Sequence, residues 1–133
     1  MKKLILTVLI LLICRTASAG PEYWQVIMAE AVGEGYQGMY AVACVIRNRG
    51  GDLDGFCGAK RKDLSTFCTR QGRPAIRQAR EIERIVFRGR GPDITGGATH
   101  FEAVERYGLP YWAKRMKVTA RLGEHTFFKE VKI

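Results

Sequence analysis

Two glutamates near the start of the chain stand where they could carry out acid–base chemistry. Glu30 ends an apolar segment, and Glu34 follows four residues later. If that segment is helical, three apolar side chains share the face of Glu30: Tyr23, Val26 and Ile27. Burial raises the pKa of a carboxyl, and a carboxyl that keeps its proton can act as a general acid. Paired carboxyls are typical of glycosidic bond cleavage, although spacing alone leaves Glu30 and Glu34 nearly equal candidates.

The chain has two histidines, His100 and His125, and these are the only residues that raise the question of a metal. With a glutamate they could form a three-ligand zinc site with an open position. They form neither a His-x-His pair nor a helical His-x-x-x-His pair. We therefore predict no metal and no cofactor, and expect these histidines to orient a substrate or satisfy a core hydrogen bond.

Aromatic residues beside glycine and proline turns are candidates for holding a sugar. Tyr36 and Trp112 are expected to be exposed, and an aromatic ring rimmed by polar groups binds the apolar face of a pyranose. The basic run Lys60–Lys62 has no interleaved aromatic stacking pattern. We therefore expect no nucleic-acid binding.

The first nineteen residues have the layout of a secretory signal peptide. Basic residues 2 and 3 precede an apolar run over 4–13, and Ala17–Ala19 supply small residues for cleavage. The run is too short for a comfortable membrane span, so we expect only transient contact with the membrane and a secreted product. The alternative, a lipoprotein signal acylated at Cys14, is disfavoured by the bulky residue before that cysteine.

Cleavage would leave residues 20–133, which is room for one domain with one core. The leader carries three basic and no acidic residues, so the net charge falls from +9 to +6. A basic secreted domain suits anionic partners such as cell-wall polymers, membrane surfaces or nucleic acid, and the charge does not choose between them. We expect a monomer.

The three cysteines of the mature chain predict one disulfide. In an oxidising compartment Cys57 and Cys68 would pair across a loop-rich region, which would stabilise the fold by roughly 2–3 kcal/mol. Cys44 lies in an apolar helical segment and is expected to be buried without a partner.

Periodicity and glycine or proline punctuation predict a mainly helical α+β domain. The predicted elements are helices over 22–32, 37–49 and 74–88, an irregular disulfide-pinned stretch over 50–73, a loop over 93–101, a short helix over 111–116, and an extended segment over 118–131 that turns near Gly123.

Three blocks of sequence together resemble the SleB-type cell wall hydrolases, the spore cortex-lytic group. The blocks are Glu30-Ala-Val-Gly-Glu-Gly-Tyr-Gln-Gly with Ala41–Arg49, then Thr95-Gly-Gly-Ala-Thr-His-Phe, then Trp112-Ala with Leu122-Gly-Glu-His-Thr-Phe. They agree with that family in order and spacing and cover nearly all of residues 20–133. The resemblance implies a lysozyme-like domain, related to lytic transglycosylases, that cleaves the β-1,4 bond between N-acetylmuramic acid and N-acetylglucosamine in peptidoglycan.

The resemblance also assigns roles to individual residues. It makes Glu30 the catalytic acid and Glu34 a supporting residue. Cleft-lining positions carry over as Thr99, His100 and Phe101, with His125 near them. The chain departs from the family pattern at Val32, at Gly35 and over Thr66–Cys68, which bears on substrate preference and cleft rigidity.

Because no second carboxylate is evident on the far side of the ring, the expected reaction is that of a lytic transglycosylase, with Glu30 as both acid and base. Hydrolysis remains open if Glu34 or another acid positions a water. Two other functions also remain open. One is a zinc-dependent peptidoglycan amidase or peptidase that uses the histidines, and the other is a non-catalytic basic wall-binding protein.

Overall fold

Two helices joined by a tight turn form the amino-terminal part of the domain. The computed structural model describes residues 20–132, so the predicted leader lies outside the described residues. Helix α1 spans Tyr23–Ala31, a 3-10 turn spans Val32–Glu34, and helix α2 spans Gly35–Asn48. Gly35 has a φ of 73°, a left-handed conformation that favours glycine and lets the chain reverse between the helices. The inward face of α1 is buried in the core through Trp24, Ile27, Met28 and Ala31.

Helix α2 is the centre of the core. Its residues 38–46 are all buried, and small side chains at Ala41, Ala43 and Cys44 allow neighbouring elements to approach closely. A helix that is apolar all round must be covered on all sides. It ends near the predicted position, before the glycines at 50 and 51, and the predicted burial of Cys44 is confirmed.

The stretch after α2 is more ordered than its composition indicates. It contains a 3-10 turn over Gly58–Lys60 and a helix, α3, over Leu64–Gln71. The prediction of an irregular segment was therefore wrong over α3. The helix forms because Leu64 and Cys68, four residues apart, give it a short buried face that packs against α1.

The predicted Cys57–Cys68 disulfide is not present in the structure, where both residues are free thiols. Cys57 is exposed in the loop before the 3-10 turn, whereas α3 turns Cys68 into the core. There the Cys68 Sγ lies 3.7 Å from the carbonyl oxygen of Gln25 in α1. Packing of α3 on α1 thus directs this thiol towards α1.

Helix α4 spans Arg73–Phe87 and covers the core from the other side. Pro74 lies in its first turn, where a missing N–H costs nothing. Its buried residues are Ala79, Ile82 and Val86, which face α1 and α2 as the periodicity predicts.

A three-stranded antiparallel sheet completes the domain. Strands β1, β2 and β3 span His100–Glu102, Met116–Leu122 and His125–Glu130, and their order is β1–β3–β2. The predicted hairpin turn at Gly123 is confirmed. Between β1 and β2 lie a short helix, α5, over Val104–Tyr107 and a 3-10 helix over Tyr111–Arg115. The fold is thus α+β and mainly helical, as predicted. Within residues 20–132, no helix has the length and apolarity needed to cross a bilayer.

Candidate active site

A cleft of about 1260 Å³ opens where the end of α1 faces the sheet. Its walls come from the turn after α1, the loop over residues 54–57, strand β1, helix α5 and the β2–β3 turn. Seven of the eight site residues predicted from the sequence line it: Glu30, Glu34, Thr99, His100, Phe101, Trp112 and His125. The fold therefore brings together side chains that are up to 95 positions apart in the chain.

Tyr36 is the predicted site residue that does not line the cleft. It is exposed, as expected, but α2 begins at Gly35 and places Tyr36 in its first turn. There it shares a helical face with Tyr40, and the two ring centroids lie 6.1 Å apart. The structure thus places Tyr36 outside this cleft, and its role as a sugar platform stays a prediction.

Glu30 lies in the last turn of α1 with its carboxyl at the cleft wall. Its Oε1 accepts a hydrogen bond of 2.8 Å from the backbone N–H of Gly58. Burial raises the pKa of Glu30, and the negative charge of Glu102 adds to this effect. The Gly58 N–H and the charge of His125 act in the opposite direction, but burial dominates. The pKa of Glu30 is thus raised, as its apolar surroundings in the sequence predict.

Gly58 is a functional residue that sequence reasoning missed. A Cβ at this position would lie 2.7 Å from the Ala29 Cβ and 3.1 Å from the Glu30 Oε1. Only glycine therefore lets the 3-10 turn lie directly on α1 and present its N–H to Glu30. Nothing in the sequence separates Gly58 from its neighbour Gly55, because the contact is made only by tertiary packing.

Glu34 has a different role from Glu30. Its Oε1 accepts a 2.7 Å hydrogen bond from the backbone N–H of Glu124, and its Oε2 forms an ion pair with His125 Nδ1. These two side chains are only 15% and 13% exposed, and the paired atoms have no other polar partner in the described part of the chain. Glu34 thus ties the helical part of the domain to the β2–β3 turn.

Two glycines make room for this carboxylate. A Cβ on Gly38 would lie 2.5 Å from the Glu34 Cβ, and a Cβ on Gly123 would lie 2.7 Å from the Glu34 Oε1. Gly123 also has a φ of 58°, which suits glycine in the tight β2–β3 turn. The backbone can therefore approach Glu34 closely at Gly38 and at Gly123, because neither residue has a Cβ.

Glu102 is a third cleft carboxylate, and it was not predicted. It lies two residues after His100 on β1, so the two share one face of the strand. Its Oε1 accepts a 2.9 Å hydrogen bond from the N–H of Ala103, and its charge raises the pKa of Glu30. The sequence predicts a loop over 93–101 and no strand there, so strand periodicity does not point to Glu102.

Aromatic rings form one side of the cleft. The Trp112 ring is 39% exposed and lies 5.2 Å, centroid to centroid, from His100. It packs edge to face with Phe128, with ring centroids 5.4 Å apart, which fixes its orientation. Burial and the nearby charge of Arg49 lower the pKa of His100, whose Nδ1 lies 2.9 Å from Thr99 Oγ1. The result is a largely neutral aromatic surface beside a hydroxyl group.

A second aromatic group lies under the acidic residues. Phe101 meets the edge of His125 at 4.9 Å and lies 5.8 Å from Phe127 on the neighbouring strand. Phe56, from the loop after α2, approaches the same ring at 5.9 Å. Arg49 lies over the Phe56 ring at 4.9 Å and also donates to the Asp54 carbonyl. These contacts hold the 54–57 loop against the sheet.

The residues described by the structure offer no group of three or more His, Cys, Asp or Glu side chains placed to hold a metal ion. Each histidine has another partner at Nδ1, which is Thr99 for His100 and Glu34 for His125. The two histidines are thus used in different parts of the cleft.

An α+β domain with a carboxyl of raised pKa in an aromatic-lined cleft is the type of molecule expected to act on a polymeric sugar. The chain belongs to the cell wall hydrolase family, whose model matches residues 33–128. This is the SleB-type family that the three sequence blocks resemble, and its members act on peptidoglycan. Neither a curated protein nor a solved structure gave a significant match. Glu30 lies just before the matched range, so its role rests on the geometry of the cleft.

Proposed function

We propose that this protein is a secreted glycosidase that cleaves the β-1,4 bond between N-acetylmuramic acid and N-acetylglucosamine, with Glu30 as the acid. The observation that supports this most directly is the raised pKa of a carboxyl that opens into a cleft of oligosaccharide size. A general acid needs a pKa near the working pH, and burial at the end of α1 moves Glu30 in that direction. Membership of the cell wall hydrolase family indicates that the polymer on which the protein acts is peptidoglycan.

In this proposal the first step is proton transfer from Glu30 to the glycosidic oxygen. The bond from that oxygen to C1 of the muramoyl residue breaks, and an oxocarbenium-like transition state develops at C1. The released N-acetylglucosamine end keeps the proton as its hydroxyl. The hydrogen bond from Gly58 N–H then stabilises the carboxylate that Glu30 has become.

The second step returns a proton to Glu30. The C6 hydroxyl of the muramoyl residue attacks C1 and gives its proton to the Glu30 carboxylate, so a 1,6-anhydro ring forms and no water is consumed. Glu34 is an unsuitable nucleophile or base for this step, because both of its oxygens are already engaged. One carboxyl acting as acid and then as base therefore accounts for a lytic transglycosylase reaction.

The aromatic side of the cleft supports sugar binding. A half-exposed Trp112 beside a largely neutral His100 offers an apolar face for a pyranose ring, and Thr99 adds a hydroxyl near it. Phe101 fills the base of the cleft beneath His125. We propose these residues as the substrate-binding surface.

Simple hydrolysis is the second candidate, and Glu102 is the observation that favours it. This carboxylate lines the same cleft and is close enough to Glu30 to affect its pKa. If it positions a water at C1, the product keeps a free reducing end.

Mass spectrometry of digested peptidoglycan tests both candidates. The wild-type protein should release 1,6-anhydro muropeptides, and Glu30→Gln should reduce their release by at least about a hundredfold, since proton transfer contributes about 10²–10⁴ in rate. Glu105→Gln is the matched control, because Glu105 is exposed on α5 outside the cleft lining. Full activity in Glu30→Gln would refute the assignment. Products one water heavier than the anhydro form would replace transglycosylation by hydrolysis.

Export is part of the same proposal. We propose that residues 1–19 direct secretion and are removed before Gly20, so that the mature chain acts as a monomer on glycan strands outside the cytoplasmic membrane. Amino-terminal sequencing of secreted protein should begin at Gly20.

Full activity after strong chelation is expected, and its loss would instead support the zinc-dependent amidase or peptidase. Wall binding without release of muropeptides would support a non-catalytic protein.

A further inference from the structure

The positive charge of the chain is concentrated in one segment. Residues 70–90 contain seven arginines, no lysine and two glutamates, which gives this segment a net charge of +5. The mature chain as a whole, residues 20–133, has a net charge of +6. Half of the fourteen arginines in the sequence therefore lie within twenty-one residues.

Helix α4 and its C-cap residue Arg88 arrange five of these arginines in a line. They recur at intervals of four, three, four and four residues, which places them on one face of the helix. All five are exposed, and together they form what we call the arginine face: Arg73, Arg77, Arg80, Arg84 and Arg88. At a rise of 1.5 Å per residue the face is about 22 Å long.

Few partners within the protein neutralise this face. In residues 20–132, Arg73, Arg77 and Arg88 make no salt bridge, and Arg84 only reaches Glu81 at 4.0 Å. Arg80 lies over the Trp24 ring at 4.7 Å, and the charges of Arg80 and Arg88 act on the neighbouring Glu83 without forming a salt bridge with it. Like charges one turn apart disfavour a helix, so this arrangement is unfavourable until an anion is present.

The arginine face is also separate from the cleft. The opposite face of α4 packs on α1 and α2 through its buried apolar residues. None of the residues that line the cleft comes from the segment 70–90. A ligand on this face would therefore leave the glycosidic site open.

We propose that the arginine face binds a linear polyol-phosphate polymer of the cell wall and holds the enzyme on the wall while the cleft acts on glycan. The choice of a wall polymer rests on the proposed function. Arginine favours phosphate because its planar guanidinium donates two parallel hydrogen bonds to it. Guanidinium groups one helical turn apart along about 22 Å suit a chain with regularly repeated phosphates.

Two other polyanions fit the face less well. An interfacial helix inserts apolar side chains into a membrane, but the exposed large apolar residues of the described chain all lie outside α4. Single-stranded nucleic acid is held by aromatic stacking between the cationic groups, and the arginine face contains no aromatic residue.

The test measures binding of the mature protein to immobilised poly(glycerol phosphate). Arg77→Gln/Arg84→Gln removes two charges from the face and keeps long polar side chains. We expect a Kd at least about tenfold weaker, because each arginine that is lost no longer neutralises a phosphate. The matched control is Lys117→Gln/Arg121→Gln on the exposed side of β2, which has the same net charge and should change the Kd less than about twofold.

Several outcomes would overturn the proposal. Equal weakening in both variants would show that net charge alone is responsible, and unchanged binding in the arginine-face variant would show that another surface binds. Tighter binding of the wild type to phosphatidylglycerol vesicles or to duplex DNA than to the polymer would assign the face to those partners. If the Arg77→Gln/Arg84→Gln variant does not fold, a competition experiment with the wild type replaces it. Soluble inorganic polyphosphate must then displace the wild type from the polymer, and failure to do so would overturn the proposal.

Assays of peptidoglycan cleavage distinguish a failure of this proposal from a failure of the proposed function. Both double variants should cleave phosphate-free peptidoglycan at the wild-type rate, because neither pair of residues lines the cleft. Polymer binding by a wild-type protein that cleaves no peptidoglycan would refute the glycosidase and leave the arginine face in place.

Discussion

At the scale of single residues, the structure separates two glutamates that the sequence leaves nearly equal. Glu30 receives one hydrogen bond from a backbone N–H, and burial raises the pKa of its carboxyl. Glu34 is held between a backbone N–H and a histidine, a setting that fixes it in place. The difference arises because Glu30 lies in the last turn of α1, whereas the 3-10 turn that follows directs the Glu34 carboxylate to the β2–β3 turn.

The balance of charges around Glu30 predicts a pH dependence. A general acid works only while protonated, so the rate should fall as the pH rises through the raised pKa of Glu30. Glu102→Gln removes a negative charge that raises this pKa. We therefore expect the pKa of Glu30 to decrease and the alkaline fall in kcat/KM to move to lower pH.

A pH–rate profile of kcat/KM for the wild type and Glu102→Gln measures this shift. Glu105→Gln, which removes the same charge outside the cleft lining, should leave the profile where it is. An alkaline limb that stays in place or moves upward in Glu102→Gln would contradict the assignment of Glu30 as the acid. The position of the limb separates an electrostatic effect from a simple loss of rate.

At the scale of secondary-structure elements, close approach at glycine holds the cleft in shape. The 3-10 turn at residues 58–60 lies on α1 because Gly58 has no Cβ. Gly58→Ala should force the turn away from α1 and cost about 1–3 kcal/mol in the free energy of unfolding, as overpacking does. It should also weaken catalysis, because the N–H of residue 58 would no longer reach Glu30.

Denaturant unfolding and muropeptide release measure the two effects. Gly33→Ala is the control, since a Cβ there meets no atom within 4 Å although Gly33 also lines the cleft. It should change the free energy of unfolding by less than about 0.5 kcal/mol. Equal effects of the two substitutions would show that the approach of the turn to α1 is not important.

The elements also show how far the sequence could predict the structure. Helices α1, α2 and α4 were predicted to within about two residues, because apolar periodicity and glycine stops are local signals. Helix α3 was missed because its short buried face lies among polar residues, and β1 because three residues are too few for a pattern. Gly58 and Glu102 join the site only through tertiary contacts, so no local signal could identify them.

At the scale of the whole molecule, the fold is stabilised by the packing of a helical core and not by the disulfide that the cysteines predict. Helix α2 is buried between α1, α4 and the sheet. Cys44 and Cys68 are part of that core, and burial raises the pKa of both thiols. A thiol with a raised pKa in a closed site contains little thiolate, which makes it slow to oxidise or react.

This arrangement predicts the chemistry of the thiols at Cys44, Cys57 and Cys68. Iodoacetamide should label Cys57 in the native state, because it is exposed, and should label Cys44 and Cys68 only after unfolding. Reductant should leave the Tm unchanged, because residues 20–132 contain no disulfide that it could break. Peptide mapping and thermal unfolding with and without reductant measure both effects. A Cys57–Cys68 peptide in the purified protein, with a Tm that falls on reduction, would mean that α3 rotates to release Cys68 from α1. The loop that carries Gly58 would then be tied to α3, and the position of the Glu30 hydrogen-bond donor would depend on the redox state.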